Sequence, residues 1–214
     1  MIDYETIIDR AKVADKEKFC KFVNELHKFL CEYNEKVNLT RITDYQDYIN
    51  KHICDSLLLG VAFPELTECK LKICDIGCGA GFPSLVLAAA YPEWEITALD
   101  SIAKKTAFVK LAGEKFTLKN LSVFTGRSNE LNRKAEWKNR FDIVTARAVA
   151  AAKTVYTDAR NFPKNNGRFI LYKTPDQLAE DLPQIKSAAS NKKWQTTAIF
   201  ELPDNAGSRQ FLYY

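Results

Sequence analysis

From residue 71 onward, short apolar runs that stop at turn residues alternate with stretches patterned at helical spacing, and few architectures accommodate that order. The runs at 71–76, 95–100, 121–125, 141–146, 167–173, 196–202 and 208–214 read as seven strands. Helical spacing fills 82–90, 102–117, 148–160 and 176–189. Crossovers of that length predict an α/β fold, Rossmann-like and doubly wound, with a mostly parallel seven-stranded sheet and helices on both faces. Only the turn segment Pro203-Asp-Asn-Ala-Gly-Ser208 separates the last two runs, so they are expected to close the sheet as a C-terminal antiparallel hairpin.

The region before the first strand is patterned differently. Phe19, Phe22, Val23, Leu26, Phe29, Leu30 and Tyr33 form one face of an amphipathic helix over 15–33. A second helix is expected near Asp44, with Thr43 as its cap and Gln46 completing a capping box. The expected organisation is a helical N-terminal extension, or lid, over 1–66 and a sheet domain over 67–214. A hydrophobic content of 46% can fill a sizeable core and argues against disorder. No apolar run approaches a bilayer span, and acids at Asp3, Glu5 and Asp9 do not suit a signal peptide, so a soluble, cytoplasmic protein is expected. The cysteines (20, 31, 54, 69, 74 and 78) never stand as Cys-x-x-Cys, and His27 and His52 are the only histidines. Reduced thiols are therefore expected and no metal site.

Charge is segregated along the chain. Residues 101–173 carry 16 lysines and arginines against 5 acids, whereas the rest carries 15 against 22. Either this makes a positive surface for a phosphate backbone, or it reflects helix faces that happen to be basic.

The first strand runs into Asp75-Ile-Gly77-Cys-Gly79-Ala-Gly81-Phe82-Pro83. Glycines there permit a tight turn and let a ligand lie against the backbone. Phe82 stands where a dinucleotide fingerprint needs its third glycine, and no Gly-Lys-Ser/Thr follows for a P-loop. The pattern suits a nucleoside with an amino-acid tail better than a pyrophosphate. Asp100 ends the second strand 23 residues after Gly77, placed to accept from ribose hydroxyls or to cap the next helix. Ser128 and Asn129, after the third strand, either meet an adenine or cap a turn.

At this point the chain resembles the class I S-adenosylmethionine-dependent methyltransferases, through Asp75-Ile-Gly-Cys-Gly-Ala-Gly81, Asp100 and Phe141-Asp-Ile-Val144. More narrowly, it is similar to the glucose-inhibited division protein B family, the ribosomal RNA small-subunit methyltransferases G. That likeness rests on Tyr33-Asn-x-x-Val-Asn38-Leu-Thr40, Lys51-His52-Ile-x-Asp55-Ser56, Gly81-Phe-Pro83, Leu99-Asp-Ser101-x-x-Lys104-Lys105, Thr145-Ala-Arg147-Ala148 and Tyr172-Lys173, and it covers residues 19–212 or so. It implies methylation of a guanine N7 in 16S small-subunit rRNA, with S-adenosylmethionine as cofactor. It also implies cofactor contacts at Gly77, Gly79, Phe82, Ser128, Asn129 and Arg147, with Asp100 and Ser101 near the ribose. Asn129 departs from the family's usual acid, which leaves the adenine contact to Asn129 or Glu130, and Thr174 replaces a frequent glycine.

Guanine N7 carries a lone pair and no proton, so attack on a sulfonium methyl asks for in-line placement more than for a base. No residue is thus an obligatory chemical participant; Arg147, His52 and Lys173 are the catalytic candidates. Arg147, at the carboxyl edge of the sheet, either anchors a base or phosphate or pairs with an Asp. His52, Asp55 and Ser56 share one helix face, read here as a lid in which His52 titrates. Lys173, Lys104 and Lys105 are candidates for RNA contact. Two other readings stay open: a methyltransferase for a small molecule or protein, and a non-catalytic RNA- or cofactor-binding module.

Overall fold

A computed structural model describes residues 3–214. The extension opens with α1 (Tyr4–Arg10) and α2 (Lys16–Val37), whose first turns are capped by the Asp3 and Asp15 carboxylates. α2 outruns its predicted end at 33 and stops at Asn38, a left-handed residue at φ +48°. Asn34 shapes this exit: its side-chain oxygen accepts the amides of Leu39 (2.6 Å) and Thr40 (2.9 Å). Next come α3 (Tyr45–Tyr48), a π-helical segment (Ile49–Cys54) and α4 (Asp55–Ala62), joined end to end. The expected cap is corrected here. Asp44, not Thr43, accepts the Asp47 amide at 2.9 Å, while the Thr43 carbonyl accepts from His27.

The sheet region follows as β1 (Lys72–Ile76), α5 (Ser84–Ala90), β2 (Glu95–Asp100), α6 (Ala103–Lys115), β3 (Leu121–Thr125), α7 (Ser128–Leu131), β4 (Phe141–Arg147), α8 (Ala152–Ala159), β5 (Pro163–Lys173), α9 (Pro175–Ala188), β6 (Gln195–Thr196), β7 (Phe200–Glu201) and β8 (Ser208–Tyr213). The order across the sheet is β3-β2-β1-β4-β5-β8-β6, with β7 paired to β8. Strands β3 to β5 run parallel, and β8 is antiparallel to its neighbours. The sheet therefore has eight strands rather than seven. The run at 196–202 is split because Thr197 steps out of the ladder, donating its amide to the Phe211 carbonyl and accepting the Phe211 amide on its hydroxyl.

Side chains alternate between the two faces of the sheet, as a pleat requires. Ile73, Ile143 and Ile170 join the core formed with α1, α2, α4, α5 and α6. Cys74, Val144 and Leu171 enter the opposite core under α8 and α9. The N-terminal extension thus packs on one face only. No helix among the described residues is long and apolar enough to cross a membrane, and the six cysteines are all free.

Candidate active site

The carboxyl ends of the parallel strands open onto a cleft with two lobes, which share Gly77, Lys105 and Ala148. This is where open α/β sheets bind ligands. The first lobe, about 360 Å3, lies over β1, β2 and β3 and is lined by Asp100, Ser101, Ser128, Asn129 and Asp158 among others. The second, about 420 Å3, lies toward the extension and is lined by Thr40, His52, Asp55, Gly79, Phe82, Arg147 and Arg209 among others.

Backbone shapes the turn where the lobes meet, with Gly77 lining both and Gly79 lining the second. Gly77, Gly79 and Gly81 have φ of +69°, +57° and +92°, a region disfavoured for side chains with a Cβ. A Cβ on Gly77 would come within 2.4 Å of Val149. On Gly79 it would meet only the Gly77 carbonyl at 3.9 Å, so it would fill open cleft instead of protein. Asp100 ties the turn to β2. One carboxylate oxygen accepts the Gly79 amide and the other the Ile102 amide, each at 2.9 Å, and every oxygen keeps a lone pair for a further donor. Both sequence readings of Asp100 are therefore compatible: it caps the start of α6 and it faces the lobe. Beneath the turn, the buried Asp75 accepts from Ser84 Oγ at 2.5 Å while its other oxygen has no partner. Burial pushes its carboxyl up to about 7.

Side chains shape the second lobe. Asp55, in the first turn of α4 and 1% exposed, accepts from Arg147 Nη1 at 2.8 Å. It also accepts both Nε and Nη2 of Arg209, each at 2.7 Å. Arg147 Nη1 further donates to the Lys51 carbonyl (2.7 Å), and Nη2 lies 3.1 Å from His52 Nδ1. A guanidinium only donates, so Nδ1 must accept and the imidazole proton sits on Nε2, 3.4 Å from the Thr40 hydroxyl. The imidazole lies parallel to the Phe82 ring, 2° apart in plane with centroids at 4.2 Å. Burial, reinforced by the Arg147 charge, holds His52 down to about 3. This corrects the expectation that His52 titrates: it is a neutral imidazole near pH 7. Its π-helical setting is the kind of helical irregularity often met at functional sites.

Most sequence candidates thus converge, with three changes. Arg147, like Gly79 and Phe82, lines the second lobe and not the first, and of the two open readings of Arg147 the pairing with an Asp is the one observed. Lys173 corrects the expectation of an RNA contact: its side chain is 8% exposed and bonds inward to Asp181 and the Ala150 carbonyl, because the end of β5 is covered by α9. Lys104 is exposed, lies outside both lobes and donates to the Val37 carbonyl at the end of α2, whereas Lys105 lines both lobes. Asn129, and not Glu130, lines the first lobe. Sequence reasoning missed Arg209 and Asp158. Nothing local marks them, since Arg209 reaches Asp55 across 154 positions.

The family model described as rRNA small subunit methyltransferase G (GidB) matches residues 15–210. The chain belongs to the GidB family. Among GidB relatives, the Ribosomal RNA small subunit methyltransferase G of Staphylococcus epidermidis is 37% identical over 202 residues, covering 93% of this chain and 81% of that protein. The namesake from Prochlorococcus marinus is 35% identical over 99% of this chain and 86% of its own length. The fold extends beyond GidB proteins. A ribosomal protein L11 methylase from Lactobacillus delbrueckii superposes with a TM-score of 0.55 at 13% identity, covering 80% of this chain and 79% of that one. A SAM dependent methyltransferase from Aquifex aeolicus gives 0.51 at 12% identity, covering 67% and 81%. At such identities these two speak for the fold alone.

Proposed function

We propose that this chain transfers a methyl group from S-adenosylmethionine to the N7 of a guanine in 16S ribosomal RNA, in the cytoplasm. The cleft's residues fit that cofactor. The Gly77–Gly79 turn presents backbone with no Cβ to obstruct it, and Asp100 and Ser101 stand at the tip of β2 where ribose hydroxyls would donate. Ser128 and Asn129 line the first lobe, where an adenine would find hydrogen-bonding partners. When bound, the cofactor supplies an electrophilic methyl on a sulfonium. The chain's own part is to bind, orient and exclude water.

The observation that carries the choice of acceptor is the commitment of the second lobe's basic groups. Asp55 is taken by two guanidiniums, and the His52 lone pair is taken by Arg147. The acid and imidazole best placed to act as base are thus already engaged. Such a lobe suits a nucleophile that has no proton to lose, which guanine N7 is. The lobe then acts through placement, worth on the order of 7–11 kcal/mol for well-oriented reactants. The parallel His52–Phe82 pair offers an apolar wall for an unstacked base. The segment 39–55, which contributes Thr40, His52 and Asp55, closes this lobe as a lid.

The RNA approaches over the basic half of the chain. Between residues 127 and 168 only Arg147 and Lys164 of the basic side chains are paired with carboxylates, which leaves Arg127, Arg133 and Lys134 among those available for phosphates. Lys105, on the lip of both lobes, is placed to meet phosphate nearest the target base.

The deciding experiment is a methyl-transfer assay on small ribosomal subunits from cells that lack the protein, with the product base mapped. Label on one guanine N7 is expected. Subunits that accept no label, or label elsewhere, overturn the proposal. Arg147→Ala is expected to stay folded and lose activity.

A further inference from the structure

Two observations meet at the wall between the lobes. The first is the segment 148–151, which follows β4 and adopts neither helix nor strand. Ala148 there has φ +54°, a left-handed conformation that an alanine does not hold unaided. Ala148 lines both lobes, and the Val149 side chain lies directly against Gly77. The position of this segment therefore fixes how wide the passage between the lobes is.

The second is an ion pair below it. Lys173, the last residue of β5, and Asp181 of α9 are 2.7 Å apart, with side chains 8% and 7% exposed. Asp181 interrupts the apolar stripe of Leu178 and Ile185 on the buried side of α9. A buried pair of this kind is weak as a source of stability, since apolar residues of similar volume often serve as well. Here the lysine makes one more bond, from Nζ to the Ala150 carbonyl at 2.9 Å, and that bond reaches the wall segment.

We propose that Lys173 is a positioning residue: braced by Asp181, it tethers the 148–151 backbone through Ala150 and so sets the passage through which the methyl moves. This rests on the reading of the two lobes as donor and acceptor sites. Lys173 touches neither ligand in this scheme; it acts through Ala148 and Val149.

The test separates tethering from stability. In K173M/D181L the pair is replaced by apolar groups and no donor to Ala150 remains. This variant is expected to melt close to the unaltered protein. Its affinity for S-adenosylhomocysteine, measured by calorimetry, is expected to fall about tenfold or more, with kcat falling alongside. D181N gives the opposite pattern: it melts earlier, yet Lys173 still donates to Ala150 and affinity shifts by less than about threefold. The proposal is overturned if folded K173M/D181L binds and turns over like the unaltered protein, or if folded D181N loses as much affinity as the double variant is expected to lose. An unaltered protein that takes up no S-adenosylhomocysteine would remove the donor reading itself. A folded double variant that matches the unaltered protein in both affinity and turnover removes only the role of Lys173.

Discussion

The turn where the two lobes meet owes its shape to main chain. Positive-φ glycines turn away from β1, and the Asp100 carboxylate pins one of their amides. The second lobe owes its shape to side chains from Thr40, His52, Asp55, Phe82, Arg147 and Arg209, gathered around one buried carboxylate. A backbone cradle is assembled as soon as adjacent strands pair, and side-chain substitutions around it remove one contact each. A side-chain lobe is adjustable, but it hangs on whichever group the others share.

Four substitutions or conditions break or sharpen this contrast. The largest effect is expected for Asp55→Ala, which leaves two guanidiniums in a buried site without their common carboxylate. Urea unfolding should show a loss of about 3–5 kcal/mol. A loss below about 1 kcal/mol would mean that the second lobe is not organised around Asp55.

Acidity is expected to treat the two lobes in opposite directions. His52 is held at about 3 when folded and regains the ordinary value of 6.5 when unfolded. Between those values only the unfolded chain takes the proton, so this contribution to stability is lost as pH falls from 6.5 toward 3. Asp75, beneath the glycine turn, is raised from 3.8 to about 7. The folded carboxyl keeps its proton where the unfolded one has lost it, so its contribution is complete below 3.8 and is lost as pH rises through 7. The two slopes offset one another over most of that range. Asp75→Asn should therefore unmask a steeper acid loss between pH 6.5 and 4 in urea titrations. A profile identical to that of the unaltered protein would show that Asp75 does not titrate as described.

A third, smaller effect is expected at Gly77→Ala. The left-handed backbone should cost roughly 1–2 kcal/mol. The added methyl also lands 2.4 Å from Val149, so calorimetry should show weaker uptake of S-adenosylhomocysteine. Lys104→Ala is the smallest. Losing its bond to the end of α2 should lower stability by about 0.3–1 kcal/mol in a thermal melt.

The same contrast governs what could be read from the amino-acid order. The glycine turn, Asp100 and the strand–helix alternation are local patterns, and they place the first lobe and the sheet. The extra strand was illegible because Thr197 breaks the ladder by a side-chain bond that no periodicity reports. The second lobe was legible only as a polar helix face. That Asp55 would face Arg209 depends on β8 lying antiparallel beside β5, a tertiary fact. Lys173 misled for a related reason: a lysine ending a strand looks available for solvent until the covering helix supplies an acid seven residues into its own length.

The antiparallel insertion of β8 also carries a temporal meaning. Synthesis is vectorial, and the extension, the glycine cradle and Arg147 all leave the ribosome before Arg209 does. Until that residue is made, only one of the two guanidiniums that share Asp55 is available to it. The contact that completes the second lobe is thus the last to become available as the chain is made.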